Sequence, residues 1–182
     1  MIKLSRTSTY KDDFKLMLTD GIFSDVTFIL EGDTRIKAHK AILASRCETF
    51  KMMLSSHMKE GTSDEIEIKD TNCQVFRNII NYIYTDDVKF EDIAMVVNLL
   101  IESNKYNLTR LKSICEWELT KIIDQENVVD LLLLSDIHEA TELRNVCLEY
   151  AVEHFESVTK RKDYDVFKKL SKNTIVELLK RK

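Results

Sequence analysis

The hydrophobic residues of this chain alternate at a strand period near its start. Val26, Phe28 and Leu30 occupy every second position of the segment SDVTFILE. Such alternation, with β-branched residues among the positions, is typical of a strand with one buried face. The predicted strands cover residues 24–31, 35–37 and 65–68, with a turn at residues 31–34. We expect the three strands to form one small sheet.

The apolar residues change to a helical period over most of the remaining chain. The predicted helices cover residues 10–20, 42–54 as two short segments, 71–86, 91–103, 108–123, 127–137 and 139–155, with two further short segments at 164–170 and 174–179. Thr71-x-x-Gln74 fits a capping box, and Asn127 can cap a later helix. The chain has no proline and three glycines, so few residues interrupt its helices.

Strands that occur early and helices that follow them predict an α+β domain succeeded by an all-α segment. A length of 182 residues suits one long domain or two small ones. The polar sequence Asp-Gln-Glu at residues 124–126 breaks the helical pattern. We therefore predict a first domain at residues 10–122 and a helical region at residues 123–182.

The first predicted helix carries an apolar stripe that needs a packing partner. Tyr10, Phe14, Met17 and Leu18 recur at helical spacing, and Gly21 follows the last helical residue. A helix this short is marginal in isolation. Its stripe can pack on the core of its own chain or on a second subunit, and the spacing leaves both possibilities open.

Composition and charge exclude several classes of function. Hydrophobic residues make up 44% and charged residues 32% of the chain, and the net charge is −4. A protein that neutralises phosphates needs a basic surface, so nucleic acid is not an expected partner. No apolar run reaches membrane-spanning length, and the start MIKLSRTSTYKDD lacks the apolar core of a signal peptide. We expect a cytoplasmic or nuclear protein without a membrane partner.

The residues that commonly carry chemistry are scattered along the chain. The cysteines are Cys47, Cys73, Cys115 and Cys147, and the histidines are His39, His57, His138 and His154. No Cys-x-x-Cys pair occurs, so reduced thiols are expected rather than disulfides or a metal site. We find no nucleophile with its base and no glycine-rich phosphate loop. The sequence thus predicts no enzyme, no cofactor and no metal ligands.

Several motifs together resemble the BTB/POZ family. They are Asp25-Val26, AHKAILA at 38–44, Phe50-x-x-Met53-Leu54, Val75-Phe76, YIYT at 82–85 and KYNL at 105–108. The segment from Asn127 to Phe155 resembles the BACK extension that follows the BTB domain in many adaptors, and the whole is most similar to speckle-type BTB adaptors. The resemblance implies a BTB fold, in which a small three-stranded sheet is joined to helical hairpins, followed by a BACK-like helical segment.

The resemblance also implies a homodimer whose interface includes the first helix, which favours a partner subunit for Tyr10, Phe14, Met17 and Leu18. Asp25 and Lys40 match a charged pair that the family places near this interface, and breaking such a pair would leave one charge uncompensated. His39 is expected to be a hydrogen-bonded, partly buried imidazole. One departure from the family pattern is Asp86, which stands where glycine is usual.

Cullin-binding members of this family carry an apolar-x-Glu motif after the third helix, and Met58, Lys59 and Glu60 stand at that place. A flexible methionine can fill an apolar pocket, and a carboxylate can accept orienting hydrogen bonds. The three-residue pattern alone is weak evidence, because it recurs by chance in any chain. Its position within the resemblance makes these residues the candidate cullin-3 contact.

Two functions remain open. The first is a non-catalytic substrate adaptor of a cullin-3 RING ubiquitin ligase. The second is a BTB self-association or scaffold module, for example in transcriptional regulation, that does not bind cullin. The adaptor function implies a protein substrate that the sequence does not identify. Family adaptors usually recognise substrate through a MATH, kelch, ankyrin or similar region, which this sequence lacks, so we expect either a fragment of a longer protein or a short adaptor whose remaining surface recognises the substrate.

Overall fold

The computed structural model describes residues 9–55, 63–159 and 170–181. Its strands are β1 (Val26–Leu30), β2 (Thr34–Ala38) and β3 (Glu65–Glu67). Its helices are α1 (Tyr10–Asp20), α2 (Lys40–Arg46), α3 (Glu48–Met53), α4 (Cys73–Thr85), α5 (Ile93–Lys105), α6 (Thr109–Thr120), α7 (Val128–Ile137), α8 (Thr141–Glu153), α9 (Phe155–Thr159) and α10 (Lys172–Arg181). The predicted α+β class is confirmed.

The three strands form the expected sheet, with β1 at its centre. β1 runs antiparallel to β2, where Phe28 faces Ile36, and parallel to β3, where Phe28 faces Ile66. All three side chains are buried. The connection from β1 to β2 passes through Gly32 and Asp33, which both adopt positive φ angles, 72° and 56°. Such a tight reversal favours glycine, which pays no steric cost there.

The described chain forms two compact units. The first contains the described residues up to Glu91 together with Lys105–Leu108, and the second contains Asp92–Asn104 and the described residues from Thr109 onward. We call them the sheet unit and the helical unit. The predicted boundary between residues 122 and 123 stays a prediction.

Four aromatic side chains form the centre of the sheet unit. Phe28 lies 5.0 Å from Phe76 and 5.6 Å from Phe50, measured between ring centroids. Tyr106 stacks on Phe50 at 5.0 Å and meets the edge of Phe76 at 6.1 Å. The four rings come from β1, α3, α4 and the segment at 105–108, so the cluster joins parts of the chain that are distant in sequence.

Hydrogen bonds hold the backbone of Tyr106 against the start of α3. Its carbonyl oxygen accepts from the hydroxyl of Thr49 at 3.0 Å and from the thiol of Cys47 at 3.3 Å. Because Tyr106 is 2% exposed, an unpaired carbonyl here would be costly. Cys47 therefore serves as a buried hydrogen-bond donor.

The ends of α4 differ in part from the sequence expectation. Asn72, rather than Thr71, caps its start, since the Asn72 side chain accepts from the backbone amide of Gln74 at 2.8 Å. Thr71 is buried, and its hydroxyl accepts from the ammonium of Lys105 at 3.3 Å. The prediction of Thr71 as the cap was wrong because a neighbouring residue has an equally suitable side chain.

The helix α4 ends where expected, at a residue with left-handed backbone. Asp86 has a φ of 57°, and its amide donates to the carbonyl of Tyr82. Glycine adopts this conformation without strain, which explains why the family pattern has glycine at this position. Aspartate tolerates it better than most residues, and here its carboxylate also pairs with Arg46.

The helices predicted at 91–103, 108–123, 127–137, 139–155 and 174–179 are present with shifted ends. The helix predicted at 139–155 ends at Glu153 and is followed by the separate α9, and the one predicted at 108–123 ends at Thr120. The helix predicted at 164–170 lies outside the described residues except for its last position. Asn127 stands at the first position before α7 but does not cap it. Its side chain instead accepts from the amide of Asp124 at 2.9 Å and donates to the carbonyl of Ile122 at 2.7 Å.

A buried glutamate from another helix caps α8. Ala140, at the cap position, has no side-chain acceptor. Glu116 of α6 supplies one, since its Oε2 accepts from the amides of Glu142 at 2.8 Å and Leu143 at 3.1 Å. Glu116 is 5% exposed, and a carboxylate at a helix start is also favoured by the helix dipole. This contact fixes α8 to α6.

An arginine joins α10 to the preceding helices. Arg144 of α8 donates to Asp136 at 2.7 Å and to Glu177 of α10 at 2.9 Å. It also donates to the hydroxyl of Thr174 at 3.2 Å, which is fully buried. The hydrogen bond from Arg144 lowers the pKa of Glu177. One guanidinium thereby orients three helices of the unit.

We expect Glu116→Ala to lower the free energy of unfolding by about 1–3 kcal/mol, because two buried amides at the start of α8 lose their acceptor. Glu116→Gln keeps a side-chain oxygen and should lose less. Urea denaturation followed by circular dichroism measures the difference.

Glu118→Ala is the matched control for Glu116→Ala. Glu118 lies two residues further on the same helix and pairs with Lys121 near the surface, where such pairs contribute little. If Glu116→Ala is no less stable than Glu118→Ala, Glu116 does not cap α8.

Candidate interaction surfaces

The first candidate surface is α1, which packs one side against α4 and is capped at both ends. Thr9 caps its start in a capping box with Asp12: the amide of Thr9 donates to the Asp12 carboxylate at 3.0 Å. The Thr9 hydroxyl donates to the same carboxylate. These two hydrogen bonds, from the hydroxyl and from the amide of Thr9, hold the pKa of Asp12 below its usual value. Gly21 ends the helix with a φ of 62°. No residue of α1 is buried, so its apolar side chains remain available.

The structure places the predicted dimer residues of α1 along one stripe. Tyr10, Phe14 and Met17 follow at i, i+4 and i+7, which share a helix face. The rings of Tyr10 and Phe14 meet edge to face, and their centroids lie 5.1 Å apart. Tyr10 is 71% exposed, and the other two are half-buried. Leu18 is also half-buried and lies further around the helix, beside α4.

Exposed apolar residues near this stripe were missing from the sequence prediction. Leu16 of α1 is 59% exposed, and Ile22 and Phe23 after the helix are 55% and 89% exposed. Phe23 also has a φ of 60°, an uncommon and strained angle for a bulky residue. The sequence did contain a signal for this surface: an Ile-Phe pair directly follows Gly21, in a turn, where polar residues are normally found.

A buried histidine fixes the turn that presents Phe23. His39 is 5% exposed, and its Nε2 lies 2.8 Å from the carbonyl oxygen of Ile22. Its Nδ1 and its backbone amide each lie 2.8 Å from the hydroxyl of Tyr84. Since a carbonyl only accepts, Nε2 carries the hydrogen, and neutral Nδ1 accepts from Tyr84. His39 is a hydrogen-bonded structural residue, as expected.

The hydroxyl of Tyr84 donates to His39 and accepts from its backbone amide at the same time. Burial raises the pKa of Tyr84 to about 12. The phenol therefore keeps its proton across the physiological pH range, and the donor to His39 is always present.

The expected charge pair between Asp25 and Lys40 does not form between their side chains within the chain. The carboxylate of Asp25 accepts from the backbone amide of Lys40 at 2.7 Å and so acts as a cap for the start of α2. The ammonium of Lys40 instead lies 3.4 Å from the carboxylate of Asp64 and 3.2 Å from the carbonyl of Ser63. The Asp25 carboxylate receives its hydrogen bond from the backbone because it lies beside the first amide of α2. Their role at a dimer interface stays a prediction.

The candidate cullin motif, Met58, Lys59 and Glu60, lies outside the described residues. The chain before it is described to Ser55, and Phe50 of α3 is fully buried in the aromatic cluster. β3 follows the motif at Glu65. The assignment of these residues as a cullin contact stays a prediction.

The thiols that the structure places in the core are poorly suited to nucleophilic chemistry. Burial raises the pKa of Cys47, and raises the pKa values of Cys115 and Cys147 to about 12. The reactive thiolate is therefore strongly disfavoured at neutral pH. Within residues 9–55, 63–159 and 170–181, no three His, Cys, Asp or Glu side chains are grouped to hold a metal ion.

None of the described helices is both long and apolar enough to cross a lipid bilayer.

A three-stranded sheet with helical hairpins, exposed apolar side chains on α1 and a following helical unit define a protein-interaction module. The BTB/POZ domain model matches residues 14–123, and the model described as "BTB And C-terminal Kelch", or BACK, matches residues 128–182. The chain belongs to the BTB/POZ family and carries a BACK region, which confirms the resemblance drawn from its motifs.

Relatives and a solved structure agree with this assignment. The chain is 32% identical over 174 residues to BTB/POZ and MATH domain-containing protein 6 of Arabidopsis thaliana, covering 86% of this chain and 41% of that protein. It is 31% identical over 150 residues to TD and POZ domain-containing protein 2 of Mus musculus, covering 82% and 41%. The BTB domain of zebrafish PATZ1 superposes with a TM-score of 0.53 at 21% identity, over 66% of this chain and 98% of that domain, and shares the fold.

The chain therefore spans about two fifths of the length of these two relatives. A further BTB/POZ domain-containing protein of Arabidopsis thaliana is 32% identical over 164 residues, and the match covers 88% of this chain and 67% of that protein.

Tyr84→Phe should lower the free energy of unfolding by about 1–3 kcal/mol, since the amide and the Nδ1 of His39 lose a shared partner inside the fold. Chemical denaturation measures the loss. Tyr150→Phe removes the same hydroxyl from a ring of α8 whose hydroxyl bonds no other described residue, and should change stability little. Equal stabilities of the two variants would contradict the structural role given to Tyr84.

Proposed function

We propose that this chain is a non-catalytic, homodimeric adaptor module that connects a protein substrate to a cullin-3 RING ubiquitin ligase. The observation that carries the proposal is α1, a helix without buried residues that presents an apolar stripe on a BTB fold. The BACK region that follows supports the adaptor role. Cytosol or nucleus is the proposed location.

The exposed side chains support a symmetric dimer. Tyr10 and Phe23 are the most exposed aromatic residues of this region, and aromatic side chains contribute strongly when an interface buries them. In a two-fold dimer the same patch occurs on both subunits, so each apolar group meets a similar surface. The stripe of Tyr10, Phe14 and Met17 would then be buried against a second copy.

Met17→Asp should dissociate the dimer. A charge placed within the buried stripe would be uncompensated on both subunits, and we expect the dimer Kd to rise by at least about a hundredfold. Light scattering coupled to gel filtration measures the mass over a dilution series.

Thr19→Asp is the control for Met17→Asp, because Thr19 is an exposed residue on the opposite side of the same helix. It should remain dimeric, and circular dichroism should show both variants folded. A folded Met17→Asp variant that stays dimeric, or a parent chain that is monomeric throughout, would refute the proposed interface.

The cullin contact is proposed from the position of Met58, Lys59 and Glu60 in the family pattern. An unbranched thioether adapts to an irregular apolar pocket, and the nearby carboxylate supplies a directional acceptor. The first helices of the BACK region are expected to extend this contact.

The double substitution Met58→Asp with Glu60→Lys should abolish capture of cullin-3 in a pulldown while the dimer persists. The reason is that it removes the apolar anchor and reverses the charge of the acceptor. Leu179→Asp with Glu153→Lys makes the same changes at two exposed positions of the helical unit and should bind cullin-3 like the parent. Unchanged capture by the Met58/Glu60 variant would show that the motif assignment is wrong.

The second candidate is a self-association or scaffold module without cullin binding. The same α1 surface supports it, because dimerisation requires no ligase. A parent chain that is dimeric by light scattering and does not retain cullin-3 would favour this function. Affinity purification with mass spectrometry from native cells, comparing the parent with the Met58/Glu60 variant, would identify the substrate of an adaptor.

A further inference from the structure

We propose that a groove between α1, β2 and α4 binds an acidic peptide segment of a partner protein. Its floor is apolar and its rim is basic. We call it the basic groove and define it by the floor residues Leu18, Ile36 and Ile80 and the rim residues Lys15, Lys37, Arg77 and Lys89. The inference goes beyond the adaptor function and does not rest on it.

The groove consists of two adjoining cavities of about 510 and 440 Å³. They share Arg77 and Asn81 of α4 as lining residues. The first contains the apolar floor, and the second is bounded by Lys15 and Lys89. A ligand that fills both would place an apolar side chain in one and a polar group in the other.

The rim cations form no salt bridge with the carboxylates of the described residues, although Lys15 lies near enough to Asp12 to add to the lowering of its pKa by Thr9, whereas neighbouring cations are paired. Lys11 pairs with Asp87, and Arg35 pairs with Glu65 at 2.6 Å. In the part of the chain that the structure describes, no salt bridge involves Lys15, Lys37, Arg77 or Lys89. The result is a local excess of positive charge on a protein with a net charge of −4.

The neutral donors of the groove are already engaged. The amide of Gln74 donates to Glu91 at 3.1 Å, and that of Asn81 donates to the carbonyl of Asp87 at 3.0 Å. Each of these amides has used one of its two hydrogens, so the charged ammonium and guanidinium groups are the strongest donors left for a ligand. Arg77, which faces both cavities, can bind a carboxylate or phosphate through two parallel hydrogen bonds.

The form of the groove favours a short extended peptide. The α1 residues that line it run from Lys15 to Gly21, roughly 10 Å along a helix axis, which matches about three extended residues. One apolar side chain on the floor with acidic residues beside it fits this length. Each cavity has one carboxylate in its lining, Asp20 in the first and Asp87 in the second. Because Asp87 is paired with Lys11, acidic side chains of the ligand are expected next to Arg77 and Lys15.

Larger polyanions fit less well. Nucleic acid or an anionic membrane extends over many charges and interacts with the field of the whole protein, which is acidic. A peptide of a few residues interacts mainly with the nearby rim, because charges beyond about 10 Å are screened at physiological salt.

The groove and the proposed dimer stripe occupy different sides of α1. Lys15 and Leu18 face α4, whereas Tyr10, Phe14 and Met17 lie about 90° around the helix axis. Leu18, which we also expect at the dimer interface, borders both surfaces. A peptide in the groove is thus compatible with a dimer formed through the stripe.

Fluorescence anisotropy with labelled synthetic peptides tests the proposal on the full chain. The probes are Glu-Glu-Leu-Glu-Glu, the same peptide with phosphoserine replacing the glutamates beside leucine, and Lys-Lys-Leu-Lys-Lys. We expect the acidic probes to bind at least about tenfold more tightly than the basic one. Their affinity should fall as salt is raised from about 50 to about 500 mM.

Arg77→Glu should weaken binding of the acidic probes at least about tenfold, because it reverses the charge shared by both cavities. Lys69→Glu makes an equivalent reversal at an exposed residue outside the groove and should bind like the parent. Light scattering should show the same oligomeric state for both variants, which separates this test from that of the dimer.

Equal affinity for acidic and basic probes, or unchanged binding by Arg77→Glu, would overturn the proposal. It would also be overturned if vesicles containing phosphatidylserine, or a single-stranded oligonucleotide, bound the parent while the acidic peptides did not.

Discussion

The aromatic cluster of Phe28, Phe50, Phe76 and Tyr106 is the constraint on which the sheet unit depends. Each ring comes from a different part of the chain, and every ring is in contact with at least two others. Aromatic pairs contribute roughly 0.5–1.5 kcal/mol beyond the area they bury. With these rings in place, β1 is fixed against α3 and α4. The fixed position of β1 in turn restricts how the residues around it can pack, including His39, which directly follows β2.

Periodicity was sufficient to predict the elements that contribute to this core. The alternation at Val26, Phe28 and Leu30 predicts β1 because only one face of the strand is buried. α1 has the predicted bounds, and Gly21 ends it as the sequence indicated. These signals are local: each depends on residues a few positions apart, and the physical cause of the structure acts over the same distance.

Polar contacts between distant residues could not be predicted in this way. Glu116 caps a helix 26 residues away in sequence, and Asp25 accepts from the amide of Lys40 rather than from its ammonium. A carboxylate uses whichever donor the fold brings near it, and that depends on packing rather than on spacing. Asn72 displaced Thr71 as a cap for a similar reason, because both have suitable oxygens and geometry selects between them. Of the candidate sites, the α1 stripe was predictable from spacing, whereas the basic groove became visible only when α1, β2 and α4 were placed together.

The position of α1 explains why it is suited to carry surfaces for other molecules. A helix of 11 residues with no fully buried side chain would be marginal alone. It packs one side against α4 and is capped by Thr9 and Gly21 at its ends, and Lys11 also pairs with Asp87. Because these contacts use the ends and one side of the helix, the remaining sides keep their apolar and basic side chains accessible. His39 extends the same arrangement beyond Gly21, where its hydrogen bond to the carbonyl of Ile22 holds the turn that exposes Phe23.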